Sequence, residues 1–258
     1  MFKPQQSVPA FESFPEALRV LIFGASGGLG AAFVRTLASH PRVVEVFAAA
    51  RTYPETHLFP DSCITWLKFD LVDELSIERA VQRATASGPL HMVIVATGML
   101  HSGTQLQPEK SWGALDASAL AQAFAINVTG PALIAKYTLG VLDRQGKSVF
   151  AALSARVGSI EDNRLGGWHA YRASKAALHM LIRTCAIELR QRNLHALCVA
   201  LHPGTVDTAL SKPFQSSIAE GQLLTPAYSV MAMLGVLDRL QSADSGRAWA
   251  WDGKPLPF

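Results

Sequence analysis

Apolar runs of strand length alternate along this chain with longer segments whose apolar residues recur at helical spacing. The first cycle is the run Arg19 to Phe23, a glycine-rich turn, the helical stretch Ala31 to Ser39 and the run Val43 to Ala50. Further predicted strands are Ile64 to Asp70, His91 to Ala96, Ser148 to Leu153 and His195 to Leu201. Further predicted helices are Asp73 to Ala86, Ala117 to Leu142 and Ala170 to Gln191.

The predicted strands are apolar almost without interruption, which is typical of parallel strands covered by helices on both faces. We therefore expect an α/β fold: one doubly wound domain over residues 18–258, with a parallel sheet of about seven strands. Residues 1–17 are expected to form a disordered or loosely packed N-terminal extension. Residues 203–225, rich in Ser, Thr, Pro and Gly, are expected to form a mobile loop with short helical pieces.

Composition narrows the function classes. The 258 residues are 49% hydrophobic, which is enough for a packed core, and the net charge of +3 comes without a run of Lys or Arg. We therefore expect no nucleic-acid or membrane partner. Residues 1–15 lack the pattern of a secretion signal, and no run approaches 18 uninterrupted apolar residues. The odd count of three widely spaced cysteines, Cys63, Cys185 and Cys198, favours reduced thiols in the cytoplasm over disulfides or a metal site.

A glycine-rich segment, Gly24-Ala25-Ser26-Gly27-Gly28-Leu29-Gly30, follows the first predicted strand directly. Glycines allow a sharp turn there and let a pyrophosphate approach the main chain, while the amides at the start of the next helix attract anions. The alternative is a plain glycine-rich turn between strand and helix. The position in a predicted parallel sheet favours a dinucleotide site.

The end of the second predicted strand indicates which dinucleotide binds. The strand ends in Ala50-Arg51, with no carboxylate to bind the adenosine ribose hydroxyls. An arginine can instead pair with a 2′-phosphate, so NADP(H) is favoured over NAD(H). Arg51 could also be an ordinary solvated residue. Asp70, at the end of the third strand, could accept a hydrogen bond from the adenine amino group or cap the next turn.

Tyr171 and Lys175 lie four residues apart in a predicted helix, so their side chains are neighbours. A cation beside a phenol favours the phenolate and lowers its pKa toward neutral pH, which suits a catalytic acid or base. Asn127 is a polar residue inside an apolar helical stretch, a position that requires a specific partner. It could hold a water molecule for proton supply or bend the helix.

The ordered set of motifs resembles the short-chain dehydrogenase/reductase superfamily from Val20 to about Gly253. To the features above it adds the Pro-Gly turn in His202-Pro203-Gly204-Thr205-Val206-Asp207-Thr208. The stretches Ser154 to Ile160, Asp162-Asn163, Tyr171 to Ala177 and Trp251-Asp252-Gly253 are more narrowly similar to the C-factor and sniffer-type carbonyl reductase branch. The resemblance implies a single Rossmann-like domain, assembled as a homodimer or homotetramer through its long helices.

The resemblance also implies hydride transfer between NADP(H) and a carbonyl carbon. Tyr171 exchanges the proton, Lys175 tunes Tyr171 and holds the nicotinamide ribose, Ser154 binds the carbonyl oxygen, and Asn127 holds a water molecule. The implied cofactor-binding residues are Gly24, Ser26, Gly27, Gly28, Leu29, Gly30, Arg51, Asp70, Leu71, Ala96, Thr97, Gly98, Tyr171, Lys175, Pro203, Gly204, Val206 and Thr208.

An apolar substrate pocket is expected from Met99, Leu100, Trp168, Leu210 and Phe214, which suits a hydrophobic aldehyde, ketone or quinone. His101 and His169 flank this region and are expected to be surface or loop residues.

Two positions depart from the family pattern. The family's usual Asn-Asn-Ala-Gly is replaced by Val95-Ala96-Thr97-Gly98, and Thr97 is the candidate substitute for the missing asparagine bonds. The catalytic serine usually lies three residues before a glycine, and counting back from Gly158 gives Ala155. Ser154 reaches the substrate only if the strand end bulges or turns. Ser159 is a second candidate, and the third possibility is that no serine acts.

Other function classes stay open at this point. A sensor or signalling protein could bind NADP(H) without turnover and tolerate the alanine at position 155. An epimerase or dehydratase on the same fold could use the same tyrosine and lysine while keeping its cofactor bound.

Overall fold

A computed structural model describes residues 9–53, 63–103, 106–219 and 221–258. The strands are β1 (Leu18–Phe23), β2 (Val43–Ala50), β3 (Ile64–Lys68), β4 (Met92–Val95), β5 (Ser148–Leu153), β6 (Ala196–His202), β7 (Ala248–Ala250) and β8 (Pro255–Leu256). The helices are α1 (Gly28–Ala38), α2 (Glu74–Thr85), α3 (Ala117–Phe124), α4 (Gly130–Thr138), α5 (His169–Arg192) and α6 (Pro226–Arg239). Short 3₁₀ turns lie at Trp112–Ala114, Leu139–Val141, Arg156–Gly158, Lys212–Ser217 and Ser242–Asp244.

The strands form one sheet in the order β3-β2-β1-β4-β5-β6-β7-β8. Strands β1 to β7 pair in parallel, and β8 pairs antiparallel with β7 at the edge. The expected doubly wound α/β fold with about seven parallel strands is confirmed. The chain order reverses between β1 and β4, so a crevice opens there at the carboxyl ends of the strands.

Successive residues of each strand pack on opposite faces of the sheet. In β1, Val20 and Ile22 join a core that includes residues of α1 and α6, whereas Leu21 and Phe23 join a core that includes residues of α2, α4 and α5. Both faces are therefore apolar, because each is covered by helices. This explains why the strands lack a polar and apolar alternation.

The long helix expected from Ala117 to Leu142 is divided. A π-helical turn, Ala125–Thr129, separates α3 from α4, and a 3₁₀ turn follows at Leu139–Val141. Asn127 lies in the π turn, and such turns often occur at functional sites. The apolar periodicity is continuous across the interruption, so the pattern predicted the helical region and missed the turn.

The N-terminal expectation needs a correction for residues 9–17. Phe11 and Phe14 are buried, with exposed fractions of 0% and 4%, and they belong to the core on the α1 and α6 face. Arg42 donates to the carbonyl oxygens of both residues, at 2.7 and 2.9 Å. This part of the chain is therefore tightly packed, because its two phenylalanines complete that core. Residues 1–8 lie outside the described residues.

Within the described residues, the stretch Ala117–Val141 is long and apolar enough, by length and composition alone, to cross a membrane. The mean hydropathy of its most apolar window is 1.3, and 28% of that window is buried. A core helix of a folded domain passes the same test. Here α4 packs on β4 and β5, and α3 packs on α5, so the stretch is an element of the α/β domain.

Candidate active site

The glycine-rich turn forms a close junction between β1 and α1. Gly24 has a positive φ of +80°, which favours glycine, and it lies against the backbone of Ala96. A Cβ on Gly30 would overlap the carbonyl oxygen of Gly24, and a Cβ on Gly28 would come within 2.8 Å of Thr208. The turn therefore brings α1 close to the sheet, and its glycines leave the approach to the main chain open.

A cavity of about 480 Å³ lies in the crevice beside this turn. The predicted cofactor residues that line it are Gly24, Ser26, Gly27, Arg51, Asp70, Leu71, Ala96, Thr97 and Gly98. Arg51 is exposed at its wall. Asp70 Oδ1 accepts a hydrogen bond from Val72 N at 3.2 Å, so the carboxylate shapes the turn before α2 while it also lines the cavity.

A second cavity of about 260 Å³ continues the crevice toward α5. It shares Gly27, Ala96, Thr97 and Gly98 with the first cavity. Its other predicted site residues are Gly28, Leu29, Ser154, Tyr171, Lys175, Pro203, Thr208 and Leu210. Gly30 lies inside the turn, and Gly204 and Val206 line the third cavity described below. The structure therefore gathers the predicted cofactor residues, apart from Gly30, Gly204 and Val206, along one groove.

Thr97 does not replace the asparagine bonds of the family pattern. Its Oγ1 is buried and has no hydrogen-bond partner among the described residues. A buried hydroxyl without a partner is costly, and this residue lines both cavities of the groove. The glycine cradle and this hydroxyl fit a bound dinucleotide that approaches the main chain and supplies a polar partner.

Tyr171 and Lys175 lie on the first two turns of α5, next to the groove. Lys175 is only 3% exposed, and its Nζ donates to the carbonyl oxygen of Leu153 at 3.0 Å. Nζ lies 5.8 Å from the centroid of the Tyr171 ring. Burial lowers the pKa of Lys175 to about 8 and raises the pKa of Tyr171 above its ordinary value. The direction for Tyr171 is opposite to the expected lowering, because burial penalises the phenolate.

Asn127 is fully buried and fastens the loop after β4. Its Oδ1 accepts from Met99 N at 2.9 Å, and its Nδ2 donates to Met99 O at 2.8 Å and to Ser174 Oγ at 3.1 Å. A Cβ on Gly98 would lie 3.7 Å from Asn127 Oδ1 and from Lys175 Nζ. Gly98 therefore lies between the two side chains and keeps the space there open.

Ser154 directly follows β5 and lines the 260 Å³ cavity together with Tyr171 and Lys175. Its Oγ lies 2.8 Å from Nε2 of His179, and the serine is 5% exposed. Ser159 is not among the residues that line the three site cavities, and its Oγ accepts from Asp162 N at 3.1 Å. Of the two candidates, only Ser154 borders the groove.

A third cavity of about 370 Å³ is mostly apolar. Leu100, Trp168, Leu210 and Phe214 line it as expected, together with Tyr171. Met99 lines the 480 Å³ cavity instead, because Asn127 holds its backbone on that side of the loop. The Trp168 ring lies 5.1 Å from Phe214 and 6.3 Å from Tyr171, centroid to centroid, so aromatic groups form one wall.

A match to a family model identifies the family to which a chain with this fold and groove belongs. The model described as short chain dehydrogenase matches residues 19–219. The chain belongs to the short-chain dehydrogenase family. It is therefore an oxidoreductase of a family that binds NAD or NADP.

Relatives of this short-chain dehydrogenase include the C-signal protein of Myxococcus xanthus. The two are 32% identical over 180 residues, covering 70% of this chain and 99% of that protein. Among solved structures, carbonyl reductase Sniffer of D. melanogaster has a TM-score of 0.80 at 23% identity and covers 94% of this chain and 100% of its own. The NADPH-bound carbonyl reductase from chicken fatty liver has a TM-score of 0.80 at 24% identity, with coverages of 99% and 100%.

Sequence reasoning missed several polar residues around the site of this short-chain dehydrogenase. Glu109 is 6% exposed; its carboxylate accepts from Ala170 N at 3.2 Å, and its carbonyl oxygen accepts from Trp168 N at 2.5 Å. Glu109 thus fixes the start of α5. The contact joins residues about 60 positions apart, so no local pattern could reveal it.

Three histidines also have roles that the sequence did not indicate. His101 lies in the loop after β4, in line with the expectation of a surface or loop residue; it is partly buried, and its Nε2 lies 3.2 Å from Leu210 O. His169 is partly buried, and its Nδ1 is buried without a partner among the described residues. His202, at the end of β6, lines the apolar cavity, and its pKa is lowered to about 4 by burial and by Arg156. His179 was missed as well, although its spacing from Lys175, one helical turn, was a signal that the sequence offered.

Proposed function

We propose that this enzyme transfers hydride between NADP(H) and the carbonyl group of a small, apolar aldehyde, ketone or quinone. The observation that carries the proposal is the position of Tyr171. It lines both the cavity that continues the dinucleotide groove and the apolar cavity. A proton donor at the junction of a cofactor groove and an apolar pocket fits carbonyl reduction.

Each site residue has a role in this proposal. Tyr171 donates its proton to the oxygen of the forming alcohol, and Lys175 holds the nicotinamide ribose. Ser154 donates a hydrogen bond to the same oxygen, where negative charge develops. Asn127 holds the loop after β4 and keeps a water molecule in line with Lys175. When bound, the nicotinamide supplies the hydride.

The preference for NADP(H) rests on the end of β2. Arg51 is exposed at the wall of the 480 Å³ cavity, and the strand ends in three alanines with no carboxylate to repel a 2′-phosphate. The chicken carbonyl reductase with the same fold binds NADPH, which supports the same choice for this chain.

Turnover assays test the function directly. We expect the purified protein to oxidise NADPH in the presence of one or more apolar aldehydes, ketones or quinones, measured as loss of nicotinamide absorbance. Tyr171→Phe should lower kcat by about 100-fold or more, since general acid catalysis contributes on that scale. NADPH binding by this variant, measured by fluorescence, should stay unchanged. Full activity of Tyr171→Phe would contradict the assignment.

A second candidate is a signalling protein that binds NADP(H) without turnover. The relative of 32% identity is named C-signal, and the hydroxyl that usually precedes the glycine by three residues is replaced by Ala155. If NADPH binds and a broad substrate panel is not turned over, this second candidate replaces the first.

The proposal includes a homodimer or homotetramer in the cytoplasm. The stretch Ala117–Val141 is apolar but only 28% of its most apolar window is buried, so a second copy could cover it. We expect sedimentation velocity to give the mass of two or four chains of 27.7 kDa, whereas a monomer at micromolar concentration would contradict this part. The odd number of three cysteines, widely spaced along the chain, fits a reducing compartment.

A further inference from the structure

We propose that His179 is a positioning residue that directs the hydroxyl of Ser154 toward the carbonyl oxygen of the substrate. The inference rests on the proposed carbonyl reduction and names a further residue that the reaction requires. It begins from a buried side-chain pair on the α5 side of the sheet.

The pair joins two elements of the site. Ser154 follows β5 directly, and His179 lies on α5 one helical turn beyond Lys175. The distance from Ser154 Oγ to His179 Nε2 is 2.8 Å, and the exposed fractions of the two residues are 5% and 3%. A hydrogen bond this short and this well buried fixes the rotation of the serine side chain.

The direction of this hydrogen bond follows from the other ring nitrogen. A neutral imidazole has one N–H and one acceptor nitrogen. Nδ1 of His179 is buried and has no partner among the described residues. Because a buried N–H without a partner is rarer in proteins than a buried acceptor without one, the proton belongs on Nε2. Nε2–H then donates to Ser154 Oγ.

The surroundings of His179 favour the neutral ring. Two titratable groups interact electrostatically with its ring: Lys175 on the same helix and His202 on β6. Burial and the charge of Lys175 lower the pKa of His179 to about 4. The ring therefore stays neutral at physiological pH, and the tautomer argument applies there.

The consequence concerns the serine proton. Ser154 Oγ accepts the hydrogen bond from His179, so its own O–H cannot point at Nε2 and is free to donate elsewhere. Ser154 lines both the 260 Å³ and the 370 Å³ cavities, which meet at Tyr171. The Ser154 hydroxyl can thus donate a hydrogen bond to the substrate oxygen that receives the Tyr171 proton. Ala155, at the position where the family usually has the serine, has only a methyl group and cannot donate one.

Nuclear magnetic resonance of ¹⁵N-histidine-labelled protein tests the tautomer without any turnover. We expect the His179 ring, assigned by its loss in His179→Gln, to carry its proton on Nε2 and to stay neutral from pH 5.5 to 8, roughly as the lowered pKa requires. A proton on Nδ1, or a charged ring at pH 7, would overturn the inference. This result does not depend on the proposed function.

Kinetics of a double-mutant cycle test the role. We expect His179→Leu to lower kcat by about tenfold or more with KM within about threefold, and His179→Gln, whose Nε2–H can replace that of histidine, to recover most of the loss. Ser154→Ala should lower kcat similarly in the wild-type background and add little to His179→Leu. His40→Leu, at a buried histidine that packs on Phe11, is the control for a general loss of packing.

Three outcomes would contradict the role. They are wild-type kcat in His179→Leu, additive effects of the Ser154 and His179 changes, and restored kcat when Ala155→Ser is added to Ser154→Ala. If wild-type protein turns over no carbonyl substrate, the proposed function fails, while the tautomer measurement still decides the pair. If His179→Leu does not fold, His179→Phe, which keeps a planar ring without an N–H, takes its place in the cycle.

Discussion

At the scale of single residues, the protonation of Tyr171 and Lys175 decides what the site can do. Burial raises the pKa of Tyr171, so the phenol keeps its proton at neutral pH. Burial lowers the pKa of Lys175 to about 8, so the lysine is mostly charged below that pH. A protonated phenol beside a cation is ready to donate to a developing alkoxide.

Arg51 carries the first prediction at this scale. Replacing it with alanine removes the guanidinium from the wall of the 480 Å³ cavity, where it can pair with a 2′-phosphate. We expect Arg51→Ala to raise the Kd for NADPH by about tenfold or more and to leave that for NADH nearly unchanged, measured by fluorescence titration. Arg164→Ala, at an exposed arginine whose NH1 contacts Asn163 O, is the matched control. Tighter binding of NADH than NADPH by the wild type would refute the preference.

At the scale of elements, the sequence predicted what local pattern determines. The apolar runs placed β2 and β5 with the observed bounds, and β1, β3, β4 and β6 to within two residues. The strands β7 and β8 have three and two residues, too few for a periodicity, and β8 is antiparallel. Helix α6 was missed although Thr225 caps it and Pro226 opens it.

The candidate site also divides into features that a local motif predicts and features that depend on how distant elements pack. The glycine turn, Tyr171 and Lys175 were recognisable because each motif lies within a few residues. The pair of Ser154 and His179 spans 25 residues, and the contact of Glu109 with Ala170 spans 61, so both depend on how the elements pack. The rise of the Tyr171 pKa likewise depends on burial, which a sequence motif does not state.

Lys147 gives a prediction at the element scale, because it joins three elements. Its Nζ lies 2.7 to 2.8 Å from the carbonyl oxygens of Leu237, Asp238 and Leu240 at the end of α6 and 2.9 Å from Ser13 Oγ, and these four oxygens share its three N–H donors. Nζ also lies 4.7 Å from the Phe14 ring centroid. The lysine thus ties the start of β5 to α6 and to the N-terminal segment.

We expect Lys147→Met to lower the free energy of unfolding by about 1–3 kcal/mol, since the last carbonyl oxygens of α6 lose a charged donor. Urea unfolding followed by circular dichroism measures the change. Lys254→Met, at a lysine whose side chain is 77% exposed, should change stability far less. Equal stability of Lys147→Met and wild type would show that these hydrogen bonds contribute nothing net.

At the scale of the whole molecule, the buried His179 and the partly exposed His202 link folding to pH. The pKa values of His179 and His202 are lowered to about 4 in the folded protein by burial and nearby positive charge. In the unfolded chain they return to about 6.5. Between these values the unfolded chain binds more protons than the folded protein, so stability is lost as pH falls from about 6.5 toward 4.

Each such histidine contributes a slope of at most about 1.4 kcal/mol per pH unit, and His202, which is partly exposed, contributes less. Carboxylates titrate in the same window, so the difference between wild type and a variant isolates the histidine. We expect the free energy of unfolding of His179→Gln to be less sensitive to acid than that of the wild type. As pH falls from 6.5 to 4.5, roughly the window between the two pKa values, the difference between the two free energies should shift in favour of the variant. His195→Gln, at an exposed histidine, is the control. Parallel curves of stability against pH for wild type and His179→Gln would mean that His179 charges as easily in the folded protein as in the unfolded chain. In that case, the buried pair with Ser154 would not hold the ring neutral.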